Sequence, residues 1–444
     1  MESRPVPVTG WGGGEPGRVE RWAPRDLPQL KAGLRRLDGR GAIPRGLGRS
    51  YGDAAQRQGG TAIDTSALRW VTLDGGTGLV SAAAGVSLRE LLAVGASRGW
   101  IVPVVPGTQH VTVGGAIASD IHGKNHATLG TFSRHVRAIG LLTADGRLRE
   151  LEPGSPEFEA TVGGMGLTGV IVWARIQLRA VMSAMLSVDT DRAGDLDEVY
   201  ALLDQPGGEH RVAWLDLLSP RGPRGVVTRA AHLDEGELSA RLATRPARAQ
   251  VPSWWPAGLL QPATVAAFNE LRFRSSPRAA RATPEGFATH MFPLDGLDAW
   301  PRLYGPRGFV QYQFVVPRGA ESIIDRVLET LRAAGVPCYL AVLKDFGPAG
   351  TGMLSFPMEG WTLALDLPRA APALLPALDR CDQLVCEAAG RVYLSKDARL
   401  GPETTRAMYP RLGEWREVRD RLDPDGLWQS DLGVRTGLVQ AGAP

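Results

Sequence analysis

Between Pro103 and Gly146 the chain reads PVVPGTQHVTVGGAIASDIHGKNHATLGTFSRHVRAIGLLTADG, which concentrates groups able to hold or move a proton. Asp120, His122, Lys124, Asn125 and His126 crowd together, and four of the seven histidines lie between His110 and His135. They follow a turn at Pro106-Gly107 and a glycine pair, Gly114-Gly115. Glycine lets main chain approach a ligand closely, and its N–H groups then bind anionic or carbonyl oxygens. A second glycine-rich segment, PRGLGRSYGD, spans Pro44 to Asp53. Its glycines alternate with hydroxyl and arginine donors, which suits a diphosphate: N–H groups and Ser50 bind oxygens, and arginine adds charge-assisted bonds. Apolar alternation at Thr61–Asp64 and Val80–Ala84 makes both segments loops between strands. Two such loops with a charged cluster point to a nucleotide cofactor.

Lysine usage singles out further positions. Only Lys31, Lys124, Lys344 and Lys396 are lysine among 50 basic residues. A compositional bias toward arginine explains the excess. Positions that stay lysine are then candidates for a compact ammonium whose pKa can shift. Lys31 lies in the helical pattern Asp26–Leu37 and reads as a solvated surface residue.

The elements that must carry these groups divide the chain in three: 1–182, 183–390 and 391–444. The first part holds the glycine loops and strand-like runs, ending in Gly169–Leu178. The middle has helical patterns at Glu321–Ala334 and Ala373–Ala388, and strands at Phe309–Val316 and Trp361–Leu367. That order suggests an antiparallel sheet with helices on one face, hence an α+β class. Thr244–Thr264, with Trp254-Trp255, lacks periodicity and reads as an irregular loop. Gln311 and Gln313 alternate with Tyr312 and Phe314, so both amides share one strand face.

Several chemistries are excluded or disfavoured. Gly164–Gly169 matches G-x-G-x-x-G, with Asp189 at a suitable distance, but a β-branched run follows instead of a helix. This argues against a Rossmann NAD site. No grouping has metal-ligand spacing, no Gly-x-Ser-x-Gly presents a nucleophile, and Cys338, Cys381 and Cys386 read as buried thiols. A net charge of +3 gives no nucleic-acid signal. No signal-peptide core or membrane-length apolar run is present, so a soluble protein is expected, cytoplasmic or peripheral at the plasma membrane.

RGLGRSYGD followed by PGTQHVTVGGAIASDIHGKNH resembles the PCMH-type FAD-binding flavoproteins of the vanillyl-alcohol-oxidase family, and within it the branch that oxidises polyprenylphosphoryl ribose. The similarity continues through ATVGGMGLTGVIV, LYGPRGFVQYQFVVP, LKDFGP, RVYLSKDAR and MYPRLGEWREVRDRLDP, and is weakest over Ser183–Arg281. It implies a two-subdomain FAD-binding domain, a substrate domain, and a tail that packs back on the first domain.

The resemblance also implies a residue set. The cofactor contacts are Arg45, Gly46, Leu47, Gly48, Arg49, Ser50, Tyr51, Gly52, Asp53, Gly107, Thr112, Val113, Gly114, Gly115, Ser119, Asp120, Ile121, His122, Ile171 and Tyr393. His122, Lys396 and Tyr51 are the catalytic candidates, and the residues leave open which is the base. Histidine has the best-matched ordinary pKa, whereas lysine must be shifted down to act as one. Gln313, Lys344, Lys124, Gln311, Tyr304 and Trp214 are the substrate candidates, with core packing as the alternative for the two aromatics. His126 and His135 are placed behind the site or at the surface.

Many relatives attach FAD through a histidine where this chain has Arg49, so the FAD is expected to be non-covalent. The substrate implied is a lipid-linked sugar phosphate, oxidised to a 2′-keto sugar on the way to the arabinose donor of actinobacterial cell-wall arabinan. A separate NAD(P)H-dependent reductase is the implied partner, and quinone or oxygen the electron acceptor. A soluble sugar, alditol or aldonolactone is the alternative substrate. The best-known members carry Asn and Cys where this chain has Thr362 and Ala364.

Overall fold

The β-branched runs of the first part form two small sheets. The computed structural model describes residues 5–37, 39–256 and 259–440. One sheet has the order Val6–Val8, Gly17–Trp22, Thr61–Asp64, Ala42–Arg45, with the last three strands parallel. Asp26 caps the helix Leu27–Leu34 that makes the crossover, by accepting from Gln29 N. The other sheet is antiparallel, in the order Val71–Leu73, Leu79–Ala83, Val170–Gln177, Val136–Leu142, Leu148–Leu151. Its central strand follows Gly169 directly, as the β-branched run requires.

The segment read as a loop at Thr112–Ser119 differs from expectation. Val113–Ala118 is a short helix, capped by Thr112 Oγ1 accepting from Gly115 N at 3.1 Å. Gly114 lets it lie on the sheet: a Cβ there would stand 3.0 Å from the Ala84 Cβ. The glycine pair therefore serves packing as well as access.

The middle of the chain builds one eight-stranded antiparallel sheet, confirming the α+β class. Its order is Ala279–Gly286, Met185–Ala193, Arg224–His232, His210–Asp216, Leu340–Phe346, Gly360–Pro368, Phe309–Val316, Arg391–Val392. Strand periodicity separates its faces. Tyr312 bonds Asp382 on the helix Leu374–Glu387, and Trp361 bonds Glu321 on Glu321–Ala333. Tyr200, from the helix Leu196–Asp204, packs on Trp361 with ring centroids 4.8 Å apart. The alternate residues Gln311, Gln313, Val342, Lys344 and Ala364 face a cavity instead.

The stretch Thr244–Thr264 is largely irregular but holds a two-residue strand, Ala249–Gln250, and the start of the helix Pro262–Ser275. Residues 257–258 of it lie outside the described residues. The tail first adds Arg391–Val392 to the edge of the large sheet. It then packs back on the first part of the chain. Ala42 exchanges backbone bonds with Leu427 and Gln429, and the Trp415 indole donates to Ala160 O at 2.9 Å. Among the described residues no helix is long and apolar enough to cross a membrane, and no cluster of three His, Cys, Asp or Glu could hold a metal.

Candidate active site

Both glycine loops, the short helix and the open face of the large sheet enclose a cavity of about 1000 Å³. This is the upper end of the range for small-molecule sites. Close packing explains the loop glycines. A Cβ on Gly46 would meet Thr112 Oγ1 at 2.4 Å, and Gly48 has φ +64°. The tail segment Tyr393–Lys396 stitches the two loops together. Tyr51 N donates to Ser395 O at 3.0 Å, Ser395 Oγ to Ser119 Oγ at 3.2 Å, and Tyr393 OH to Ser119 O at 2.7 Å.

Five of the expected cofactor contacts do not reach the cavity wall, and the rest do. The Arg45 guanidinium turns to the Thr9 and Ala55 carbonyls, at 2.8 and 2.9 Å. Gly52 is pressed on Asp397, where a Cβ would lie 1.9 Å from the carbonyl oxygen. Asp53 receives Arg435 at 2.7 Å, and the same guanidinium reaches Asp397 at 2.8 Å. Val113 is core. Asp120 is fully buried, at φ +37°, accepting from Ser133 N and Ser355 Oγ. These side chains hold the loops in place. Arg49 does reach the wall, where its guanidinium stacks 3.6 Å over the Trp11 ring.

Of the substrate and catalytic candidates, His122, Lys396, Tyr51, Gln311, Gln313, Lys344, Lys124 and Trp214 line the one cavity. Tyr304 does not. It stacks on Phe309, with centroids 4.2 Å apart, and its hydroxyl reaches Asp366 at 3.4 Å. His126 is buried, so the surface alternative fails. Its Nδ1 accepts from Gly347 N at 3.2 Å and its ring packs on Phe346. His135 is half-buried against the Leu129 carbonyl.

Three residues escaped the motif reading. Asp366 is buried behind Gln311, whose Nε2 donates to it at 2.5 Å. Period-two spacing from Thr362 and Ala364 is the signal that places it on this face. Glu285 and His290, 3.3 Å apart, stand beside Lys124, whose Nζ donates to the His290 carbonyl. No sequence pattern marks them, because they converge on Lys124 from a distant segment.

The electrostatics move a lysine, not the histidine, to neutrality. Burial pushes Lys396 down to about 7, helped by the neighbouring Lys344 charge and opposed by Asp366. Burial likewise takes Lys344 to about 8, and Lys124 to about 7. His122 falls well below the imidazole range, first through burial and then through Lys344, Lys396 and His126. His122 is thus held neutral, and Lys396 replaces it as the group whose pKa lies near neutrality. Tyr51 is raised by burial and by Asp366, so it stays a phenol. Burial holds Asp366 up at about 6.

The residues present fit FAD. Glycine backbone from both loops lines the cavity, and no Cβ neighbour lies within 4 Å at Gly107. His122 Nδ1, Gln311 Oε1, Gln313 Oε1 and Arg49 Nε are buried and without partners among the described residues. Buried polar atoms are ordinarily hydrogen-bonded, so these four await a polar ligand.

Residues 23–152 match the family described as FAD binding domain. Over 417 residues the chain is 41% identical to the decaprenylphosphoryl-beta-D-ribose oxidase of Mycolicibacterium smegmatis, covering 90% of each. The chain belongs to the FAD-binding flavoproteins of the vanillyl-alcohol-oxidase family. This flavoprotein is an FAD-dependent oxidoreductase. It is also 24% identical over 392 residues to an alditol oxidase of a Streptomyces species, covering 82% of this chain and 80% of the relative. A similar 23% over 391 residues relates it to an L-gulono-1,4-lactone dehydrogenase of Mycobacterium tuberculosis, covering 87% and 88%.

Proposed function

We propose that this flavoprotein oxidises the 2′-hydroxyl of a polyprenylphosphoryl-β-D-ribose to the 2′-keto sugar, with non-covalent FAD. One observation carries the reading. Three of the chain's four lysines, Lys124, Lys344 and Lys396, line the same cavity as the glycine loops, beside the amides of Gln311 and Gln313. Amides orient sugar hydroxyls, and ammonium groups hold a phosphate or take a proton. The 41% identity to the decaprenylphosphoryl-beta-D-ribose oxidase, across 90% of both chains, supports the same substrate class.

FAD held along the glycine loops, beside His122 and Lys396, would supply the two-electron acceptor for the C2′ hydrogen. Lys396, with a pKa of about 7, accepts the hydroxyl proton as the C–O bond becomes C=O. Tyr51 keeps its proton and donates a hydrogen bond. Arg49 leaves no nucleophile at the usual histidine attachment position, and no cysteine lines the cavity, which supports non-covalent binding. The cavity wall reaches Phe268 and Arg272 on the helix Pro262–Ser275, where Phe268 is 61% exposed. That suits a lipid tail leaving toward a membrane surface. A separate NAD(P)H-dependent reductase would then consume the keto sugar, with quinone or oxygen as the terminal electron acceptor.

Anaerobic titration of the oxidised-flavin absorbance tests this. Bleaching is expected with polyprenylphosphoryl ribose and not with free ribose or ribitol. Bleaching with ribitol alone moves the protein to the soluble-polyol oxidases, the reading that the alditol oxidase similarity favours. No bleaching with any of them removes the substrate assignment.

A further inference from the structure

A hydrogen-bond chain through Thr362 decides which nitrogen of His122 carries the proton. Thr362 is fully buried on the strand Gly360–Pro368, and its hydroxyl donates to the Phe314 carbonyl at 2.9 Å. A hydroxyl has one proton, so the same oxygen must accept from its other neighbour. That neighbour is the Gln313 side chain, 2.9 Å away, and it must present its NH2 rather than its carbonyl. The flipped amide would set two lone-pair oxygens against each other. The second Gln313 proton is directed at His122 Nε2, 3.1 Å away. Nε2 must therefore hold the lone pair, and a neutral imidazole then carries its proton on Nδ1. Lys344, Lys396 and His126 surround the ring and oppose a second proton.

We propose that Thr362 is a positioning residue which, through Gln313, locks His122 as the Nδ1–H tautomer, making it a hydrogen-bond donor to a ligand oxygen and not the base. The donor role rests on the proposed site of sugar oxidation; the tautomer does not. His122 Nδ1 is buried and has no partner among the described residues. An unpaired buried donor is costly until an acceptor arrives, so the site favours a ligand that places an oxygen there. With Nε2 occupied by Gln313, the hydroxyl proton is left to the Lys396 amine.

The test is ring-nitrogen NMR of the FAD-loaded protein, selectively labelled with nitrogen-15 histidine, with His122 assigned by its loss in His122→Asn. The expected pattern has a protonated Nδ1 and a lone-pair Nε2. Thr362→Val keeps the side-chain shape but removes acceptor and donor. It should shift His122 toward Nε2–H and slow flavin reduction about tenfold, the effect of losing roughly one hydrogen bond. Thr362→Ser should restore both pattern and rate. A wild-type ring protonated on Nε2, or a pattern unmoved by Thr362→Val, overturns the proposal. If the tautomer behaves as expected but no sugar bleaches the flavin, the lock stands and the substrate assignment falls.

Discussion

If Lys396 takes the hydroxyl proton, its charge state sets the rate of flavin reduction near neutrality. The active form is the free amine, so the rate rises with pH through about 7. For a single titration at that value, the amine fraction, and hence the rate, grows about tenfold between about pH 6 and about pH 8. Lys396→Met should lower the rate by roughly 10²- to 10⁴-fold and flatten this limb. Two neighbours then move the limb in opposite directions in the otherwise intact enzyme. Lys344 holds the Lys396 pKa down, so Lys344→Met should shift the limb to higher pH. Asp366 holds it up, so Asp366→Asn should shift it to lower pH. The assay is anaerobic stopped-flow reduction of the bound flavin at saturating substrate. A limb that persists near 7 in Lys396→Met, or that moves the same way in both neighbour variants, refutes the assignment. Stability supplies an independent sign. Folding lowers Lys396 from 10.5 to about 7, which disfavours the charged form by about 4–5 kcal/mol. Between those values the unfolded chain binds more protons, so stability rises with pH there, and the full cost applies below about 7. FAD-free Lys396→Met should therefore be more stable than wild type at about pH 6, with the advantage shrinking toward about pH 10.

Two glycines should respond in opposite ways. Gly52→Ala drives a Cβ into the Asp397 carbonyl and should cost about 2–3 kcal/mol in denaturant unfolding. Gly107→Ala meets no neighbour, so it should leave FAD-free stability within about 0.5 kcal/mol and weaken FAD binding, read by flavin fluorescence. After unfolding in guanidinium and ultrafiltration, all the flavin should pass the filter; colour retained with the protein would contradict non-covalent attachment. Ala364→Cys puts a thiol on the cavity wall and should add one equivalent of a thiol reagent by mass, slowed by bound substrate. The wild-type thiols Cys338 and Cys381 are buried and should stay unlabelled in the folded protein, whereas Cys386 is half-buried, contrary to the sequence reading, so the added equivalent is counted above wild type.

Local pattern determined much of this protein. The strand Phe309–Val316 falls where its apolar and aromatic run puts it, buried on both faces, and the helix Glu321–Ala333 where its periodicity does, burying one face. The β-branched residues after Gly169 dictate a strand, and the alternation of Gln311 and Gln313 puts both amides on the cavity side. The glycine loops and the lysines Lys124, Lys344 and Lys396 were legible because composition and spacing alone set them apart. What their side chains do there was decided by partners far along the chain. Arg45 and Asp53 carry the right chemistry for a diphosphate loop, yet Thr9, Ala55 and Arg435 claim them for holding the loop. Asp366 stands in no motif and acquires its role only when Gln311, from the neighbouring strand, and Tyr304, from the turn Trp300–Tyr304, meet it. Which of His122 and Lys396 titrates near neutrality is likewise a tertiary property. Burial removes the water that stabilises charge, and lysines brought together from separate segments repel one another and the imidazole. Residue type sets the starting pKa, but only the folded arrangement of charge and solvent sets the final one.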